Sequence, residues 1–302
     1  MEKIGESLLK FTHGASTFIV NATEGARLMN WSINLADGAV RDVIYWPANA
    51  PYSGEGFTKT LGGNPILFPF CGKSYVEGKE GFWMSPEGNL LPMKMHGYAK
   101  DGQFVIEAAH DSGFTARFIP SEECKIAYPY NYEFRVSYRF SELAFSCELN
   151  LKNNGDEKIP WGAGIHPYFT LPWHSGQTRK MYRLKHDAKK ASRFIMETGA
   201  FLPEDLDKNC FDDAEFNNRI LTNFKTSELS FGLKNGEEDV RMVINSGGRP
   251  DPALCVVTWS LNDESPYYCV EPWISVPNSA STPKQFVAPG SSKSFIVDIS
   301  LG

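Results

Sequence analysis

A strict alternation of apolar and polar residues runs through two neighbouring segments in the middle of the chain. Every second residue from Tyr132 to Phe140 is apolar, and the same holds from Leu143 to Leu151, after a polar break at Ser141-Glu142. A period of two places alternate side chains on opposite faces of an extended strand, whereas a helix would scatter them around its circumference. The pattern therefore predicts two long antiparallel strands, each with one buried face.

The same period recurs along much of the chain. It is present in four further segments, Met29–Leu35, Phe104–Ala108, Phe114–Phe118 and Phe295–Leu301. The Asn235-Gly236 pair, between two more apolar runs, indicates a β-hairpin because both residues tolerate a positive φ. Helical periodicity is scarce, and its best candidate, from Asp187 to Phe194, is short. These observations predict an all-β fold, a large antiparallel β-sandwich with few short helices.

Composition and charge restrict the class of protein further. The 302 residues show no linker, repeat or composition shift, so we expect a single domain over residues 1–302. A formal net charge of -6 argues against a nucleic-acid or anionic-membrane partner, since both select a basic face. Aromatic residues make up 13 % of the chain, an unusually large share for a soluble globular protein.

The cysteines and the first ten residues are informative about the cellular compartment. The segment Met1–Lys10 is charged and lacks an apolar core, and no stretch of the chain has the apolar length of a membrane span. The six cysteines form no C-x-x-C pair and are too sparse for a disulfide scaffold. We therefore expect reduced thiols and a cytoplasmic protein.

Three short segments each hold a titratable residue beside rigid neighbours. They place His96 in Lys94–Tyr98, His166 in Gly164–Phe169, and Glu271 in Cys269–Trp273. Proline pushes the residue before it into an extended conformation, so His166 and Glu271 are both held at strand-like positions. Imidazole and carboxylate are the groups most often used to transfer protons near neutral pH. The three residues are candidates for one acid–base site assembled by folding.

Other interpretations of these residues remain open at this point. A single histidine is more often structural than catalytic. His96, His166 and Glu271 could also be metal ligands of a hydrolase, although the chain lacks a closely spaced ligand pair such as His-x-x-x-His. The glycines around Gly62-Gly63 match neither the dinucleotide fingerprint nor the P-loop, so no nucleotide site is predicted.

In order along the chain, these segments resemble the motif set of the aldose 1-epimerase (galactose mutarotase) family. The resemblance rests on five segments spread over most of the chain: Gly62-Gly63-Asn64-Pro65 through Phe68-Pro69, Met95–Lys100, Gly164–Phe169, Cys269–Trp273 and Pro277-Asn278. It implies one β-sandwich enzyme domain that uses no metal or organic cofactor. It also implies a small-molecule sugar as the partner.

The resemblance also implies a role for individual residues. Glu271 is then the general base, His166 the general acid, and His96 a hydrogen-bonding group that positions the sugar. Lys73 stands where many members have an arginine, and Asp213, or its neighbour Asp212, resembles their substrate-binding aspartate. Trp273 and Tyr168 are then expected to pack against the sugar ring.

The expected activity is interconversion of the α and β anomers of a hexose. A hexose 6-phosphate is an alternative substrate, for which Lys59, Lys73, Lys94 and Lys100 could supply a basic cluster. A carbohydrate-binding protein without turnover is an alternative from another class.

Overall fold

The computed structural model describes residues 1–236, 238–279 and 285–302, and its regular elements are mostly strands. In chain order the strands are β1 (Glu2–Lys3), β2 (Leu8–His13), β3 (Ser16–Asn21), β4 (Arg27–Asn34), β5 (Val40–Ile44), β6 (Ile66–Leu67), β7 (Tyr75–Val76), β8 (Lys79–Glu80), β9 (Phe82–Met84), β10 (Leu90–Pro92), β11 (Gln103–His110), β12 (Gly113–Ile119), β13 (Tyr132–Ser141), β14 (Ala144–Asn153), β15 (Ile159–Pro160), β16 (Ala163–Ile165), β17 (Tyr168–Thr170), β18 (Tyr182–Lys185), β19 (Lys190–Phe194), β20 (Phe201–Glu204), β21 (Arg219–Thr222), β22 (Glu228–Leu233), β23 (Asp239–Ile244), β24 (Leu254–Trp259), β25 (Tyr267–Ile274), β26 (Phe286–Val287) and β27 (Ser292–Leu301).

Two large antiparallel sheets contain most of these strands. The first has the order β1-β2-β3-β4-β5-β17-β25-β24-β21-β19-β20, with β16 attached to β25 and β6 attached to β16. The second has the order β11-β12-β13-β14-β27-β23-β22-β18. The predicted all-β fold and large antiparallel sandwich are confirmed.

Aromatic side chains from the two sheets meet in the core between them. Phe11 and Phe18 of the first sheet both lie 4.6 Å, between ring centroids, from Phe140 of the second. Trp31 meets Phe145 edge-on at 5.7 Å. Aromatic pairs prefer such offset or edge-to-face contacts over direct stacking. Part of the aromatic surplus is thus used to join the sheets.

The alternating segments form strands as predicted. In β13 and β14, Tyr138 pairs with Cys147 and Phe140 with Phe145, and all four side chains are buried. The strands β22 and β23 form the predicted hairpin, in which Gly236 takes a φ of 74°. Residue 237 in that loop lies outside the described residues.

Helical structure is not where the sequence suggested it. Residues Lys190–Phe194 form strand β19, which pairs with both β20 and β21, so the predicted short helix from Asp187 to Phe194 is wrong. Hydrogen bonding of this segment to two neighbouring strands outweighs its weak local preference for a helix. Among the described residues the α-helix is α1, Glu122–Ala127, where Ser121 accepts a hydrogen bond from the Cys124 amide at 3.2 Å. Short 3₁₀ turns lie at Ala99–Asp101, Arg179–Met181, Ala214–Phe216 and Asn245–Gly247.

No helix in the described part of the chain has the length and apolar character needed to cross a lipid bilayer.

An interruption in the first sheet brings distant segments together. Strands β16 and β17 both pair with β25, through Gly164 opposite Trp273 and Tyr168 opposite Cys269. His166-Pro167 fills the gap between the two short strands, directly across from the middle of β25. The amide of His166 donates to the carbonyl oxygen of Pro65 at 3.1 Å, which holds this gap against the segment before β6.

Candidate active site

A cavity of about 430 Å³ opens at this interruption of the sheet. Its polar wall is formed by Arg27, Thr58, Lys59, Thr60, His96, Lys100, His166, Asn218 and Glu271. Its aromatic and apolar wall includes Leu61, Leu67, Met95, Tyr168, Phe194, Met196, Ile220, Val257, Trp259 and Trp273. An apolar pocket with a few convergent polar groups is typical of small-molecule sites.

His166 and Glu271 meet inside this cavity. The Nε2 atom of His166 lies 3.3 Å from Oε2 of Glu271, and the two residues are 8 % and 1 % exposed. Glu271 projects from the middle of β25, and His166 from the gap between β16 and β17. The structure therefore brings together the two residues that the sequence analysis named as acid and base.

Burial shifts the pKa values of both residues in this pair. It raises the pKa of Glu271 well above its usual 4.5 and lowers that of His166 well below 6.5, with His96 contributing further to the latter. Neither Glu271 Oε2 nor His166 Nδ1 has a hydrogen-bond partner among the described residues. Buried polar atoms without partners are costly and are normally satisfied, so these two are suited to a bound ligand.

His96 lies beside this pair in an unusual backbone conformation. Its φ is 64° and that of Gly97 is 73°. A Cβ on Gly97 would lie 2.0 Å from the Phe68 carbonyl oxygen, so glycine is required for the close approach of these two segments. The His96 and His166 rings are consequently 5.5 Å apart, between centroids.

The hydrogen bonds of His96 define its tautomer. Its Nδ1 accepts the amide hydrogen of Gly72 at 3.2 Å, so in the neutral ring the hydrogen is on Nε2. Burial lowers the pKa of His96 to about 3, which keeps the ring neutral. His96 can therefore donate one hydrogen bond into the cavity without carrying a charge.

Two substitutions at His96 separate its two nitrogens. The side chain of His96→Asn reproduces only the Nδ1 position, whereas that of His96→Gln reaches the Nε2 position with a donor. In steady-state assays of the sugar mutarotation expected from the sequence, we expect the asparagine variant to lose about tenfold or more in kcat/KM and the glutamine variant to lose less. Equal losses in both variants would contradict a donor role for Nε2.

Aromatic rings surround the three titratable residues. The Tyr168 ring stacks on His166 with centroids 4.8 Å apart, and Trp273 meets His96 edge-on at 5.6 Å. Both rings line the cavity, where the sequence analysis expected them. Trp259 also lines it, 5.8 Å from the His166 ring. Sequence reasoning missed Trp259, which ends a buried strand and has no distinctive neighbours.

Lys73 and Asp213 have other partners. The Nζ atom of Lys73 lies 2.8 Å from Oε1 of Glu80. Asp213 caps the 3₁₀ turn after it by accepting the Glu215 amide at 2.9 Å, and it faces Lys208 at 3.5 Å. Neither residue is among the described residues that line the cavity. Their predicted contact with substrate therefore has no support from this geometry.

Arg27 is a buried cation in the cavity wall that sequence reasoning missed. Its guanidinium donates to the carbonyl oxygens of Phe57, Thr60 and Gly62, and burial lowers its pKa to about 10. These bonds hold the segment 57–62 against the rim of the cavity. The only signal in the sequence is an arginine at the start of an alternating strand, which is too common to be specific.

The described residues contain one group that could hold a metal ion. The ligand atoms of His166, Cys269 and Glu271 all lie within 4.8 Å of one another. Burial raises the pKa of the Cys269 thiol well above 9.0, and a protonated thiol is a poor ligand. The group differs from the set proposed for a metal-dependent hydrolase, in which His96 occupies the third place.

Comparison with known proteins gives the class of protein. The family model for aldose 1-epimerase matches residues 7–300, and the chain belongs to the aldose 1-epimerase family. A curated relative, the plasmid-encoded protein LacX of Lactococcus lactis subsp. lactis, is 23 % identical over 232 residues, which cover 71 % of this chain and 74 % of LacX.

Two solved structures show the same fold. A galactose mutarotase related enzyme from Lactobacillus acidophilus superposes with a TM-score of 0.78 and 18 % identity, over 98 % of this chain and 97 % of that one. The Slr1438 protein of Synechocystis sp. PCC 6803 gives a TM-score of 0.77 and 18 % identity, over 100 % and 99 %. Both likenesses support the sandwich described above.

Proposed function

We propose that this protein is a mutarotase that interconverts the α and β anomers of a hexose. The observation that carries the proposal is the 3.3 Å approach of His166 Nε2 to Glu271 Oε2 inside a cavity of sugar size. In a pyranose, the anomeric hydroxyl O1 and the ring oxygen O5 are both bonded to C1. An acid and a base that act on them together must therefore be close neighbours, as these two are.

The reaction needs one proton to be removed and one to be supplied. Glu271 accepts the proton of O1 while His166 donates a proton to O5, which opens the ring to the aldehyde. Rotation about the C1–C2 bond and closure on the other face follow, with the two residues exchanging roles. His96 donates from Nε2 to the sugar and holds it in place.

The cycle requires that His166 and Glu271 together hold one proton. Burial favours the neutral form, with the proton on Glu271, over the ionised form, with the proton on His166. The two forms differ only by a proton transfer between atoms 3.3 Å apart. The form in which Glu271 is the base therefore differs from the resting form by the position of one proton within the pair.

The partners of the nearby cations support an unphosphorylated hexose as the substrate in preference to a hexose phosphate. Lys59 and Lys100 line it, but the Nζ atom of Lys100 lies 2.6 Å from Asp101, and the Arg27 guanidinium already donates to three carbonyl oxygens. Lys94 pairs with Glu123, as Lys73 does with Glu80. A phosphate would need several uncommitted donors at one point.

The test is the rate of mutarotation of freshly dissolved sugars. Purified protein is added to α-glucose, α-galactose and glucose 6-phosphate, and the anomers are followed by polarimetry or NMR. We expect one of the free hexoses to equilibrate faster than in protein-free buffer, in proportion to protein concentration. Binding without acceleration would identify a non-catalytic sugar-binding protein, and acceleration confined to glucose 6-phosphate would identify the phosphorylated substrate class.

The pH dependence follows from the two shifted groups. Activity requires that the pair holds a single proton. His166 has a lowered pKa, so it gains a second proton only well below pH 6.5, and Glu271 has a raised pKa, so it loses the shared proton only well above pH 4.5. We expect a bell-shaped profile of kcat/KM with its acidic limb below pH 6.5. A single limb centred near 6.5, as for an exposed histidine, would contradict the assignment.

A further inference from the structure

Cys269 is a buried thiol beside the acid–base pair that the proposed reaction does not use. Side chains alternate between the two faces of a strand, so Cys269 and Glu271, two residues apart on β25, lie on the same face. His166 approaches from the gap opposite this strand. One ligand atom from each of the three residues lies within 4.8 Å of the other two, and all three residues are buried. A nitrogen, a sulfur and an oxygen donor are thus held around a single point.

The spacing of these donors matches a tetrahedral metal site. Zinc binds histidine nitrogen and carboxylate oxygen at about 2.0–2.2 Å, so two such ligands in a tetrahedral site lie about 3.4 Å apart. The observed distance from His166 Nε2 to Glu271 Oε2 is 3.3 Å. A zinc–sulfur bond of about 2.3 Å places the sulfur about 3.6 Å from either atom. Cys269 Sγ therefore has to approach by at most about 1.2 Å, which is within the swing of its side chain about χ1.

The bonding capacity and the charge of the group are suited to a divalent cation. Glu271 Oε2 is buried and has no hydrogen-bond partner in the described part of the chain. Coordination releases the thiol proton of Cys269 and the carboxyl proton of Glu271 and adds one doubly charged ion, so the net charge of the buried group stays the same. The raised pKa of the thiol belongs to the metal-free protein, because a coordinating divalent cation deprotonates a thiol outright.

The donor set selects the kind of ion. Imidazole and thiolate suit zinc and related transition-metal ions, whereas magnesium and calcium prefer oxygen ligands. Three protein ligands leave one tetrahedral position open, and His166 and Glu271 both line the cavity. The ligand histidine of a permanent site usually donates its other ring N–H to a protein oxygen, but His166 Nδ1 has no partner among the described residues. We therefore expect an exchangeable ion rather than a permanent one.

We propose that His166, Cys269 and Glu271 form a binding site for a zinc ion that competes with the sugar for the active site. Under the proposed function, His166 Nε2 and Glu271 Oε2 exchange protons with the sugar. An ion bound to both atoms leaves neither available, so the ion and the sugar exclude each other. The site itself depends on the geometry of the three residues, and only its effect on turnover rests on the proposed function.

Cobalt and zinc salts test the site without relying on turnover. Co²⁺ takes the place of Zn²⁺ in tetrahedral sites and shows sulfur-to-metal charge-transfer absorption when a thiolate is bound. We expect the metal-free wild type to bind Co²⁺ with this absorption and ZnCl₂ to displace it. Cys269→Ser should lose the absorption and bind at least about tenfold more weakly. Glu271→Gln should also bind more weakly but keep the absorption, since the thiol remains.

A matched cysteine provides the control for this experiment. Cys147 is equally buried but lies on β14 in the other sheet, so Cys147→Ser should bind Co²⁺ like the wild type. Thermal melting establishes that each variant is folded. Absence of Co²⁺ binding to the wild type, or an absorption that persists in folded Cys269→Ser, would overturn the site.

Inhibition kinetics test the competition, with each variant compared to its own metal-free rate. ZnCl₂ should raise the KM of the wild type for its sugar without lowering kcat, and EDTA should reverse the effect. In Cys269→Ser, the Zn²⁺ concentration that doubles KM should increase at least about tenfold. Metal binding that leaves an active enzyme uninhibited would refute the inference. Metal binding by a protein that turns over no sugar would instead refute the proposed function and leave the metal site standing.

Discussion

The Glu271→Gln variant is expected to lose at least about 10²-fold in kcat for mutarotation while it remains folded. The amide keeps the size of the side chain but cannot accept the proton of O1. Stopped-flow polarimetry on α-glucose or α-galactose measures the loss. Glu87→Gln is the matched control, because Glu87 is an exposed carboxylate in the loop between β9 and β10, and it should leave kcat unchanged.

The difference in stability between this variant and the wild type should depend on pH in a defined direction. The folded-state pKa of Glu271 is raised, so above pH 4.5 the unfolded chain loses this proton while the folded chain retains it. Folding stability from this group therefore decreases as the pH rises from 4.5 towards the folded-state pKa. Glutamine does not ionise, so the Tm of Glu271→Gln relative to wild type should increase over that interval. A destabilised variant whose activity falls in parallel would indicate that Glu271 is structural rather than catalytic.

The His166→Ala variant is expected to lower kcat by about 10² to 10⁴, since it removes the proposed proton donor to O5. The histidine is buried, so the truncation also leaves a cavity that opens on the active site. Added imidazole should enter it and restore part of the rate, an effect that a purely structural role does not produce. Circular dichroism and thermal melting establish that the variant is folded.

A matched histidine provides the control for this experiment. His110 is exposed at the end of strand β11, outside the cavity, and His110→Ala should retain the wild-type rate with no response to imidazole. A loss of less than a few-fold in folded His166→Ala would remove His166 from the acid–base pair.

The strands were predictable because their signal is local. Most residues of β13 and β14 can be assigned to the buried or the outer face from the sequence, because the apolar alternation matches the pattern of burial. The segment Asp187–Phe194 has no such signal, and its strand is formed only because β20 and β21 pair with it. Long-range pairing is not visible in a short window of residues.

The same distinction applies to the site. His96, His166 and Glu271 are flanked by prolines, glycines and aromatic residues, and this local context identified them. Arg27 and Trp259 join the cavity through tertiary contacts that leave no local signature. Conversely, the ion pair of Lys73 with Glu80 depends on how the chain turns at β7 and β8, so sequence reasoning had no means to anticipate it.

The location of His166 in an interruption of the first sheet has a consequence for the durability of the site. The residues on both sides of it belong to β16 and β17, which are hydrogen-bonded to β25, the strand that carries Glu271. The distance between His166 and Glu271 is thus set by interior backbone pairing rather than by a surface loop. Local fraying at the periphery leaves that distance unchanged, and the geometry of the pair is lost only when the centre of the sheet melts.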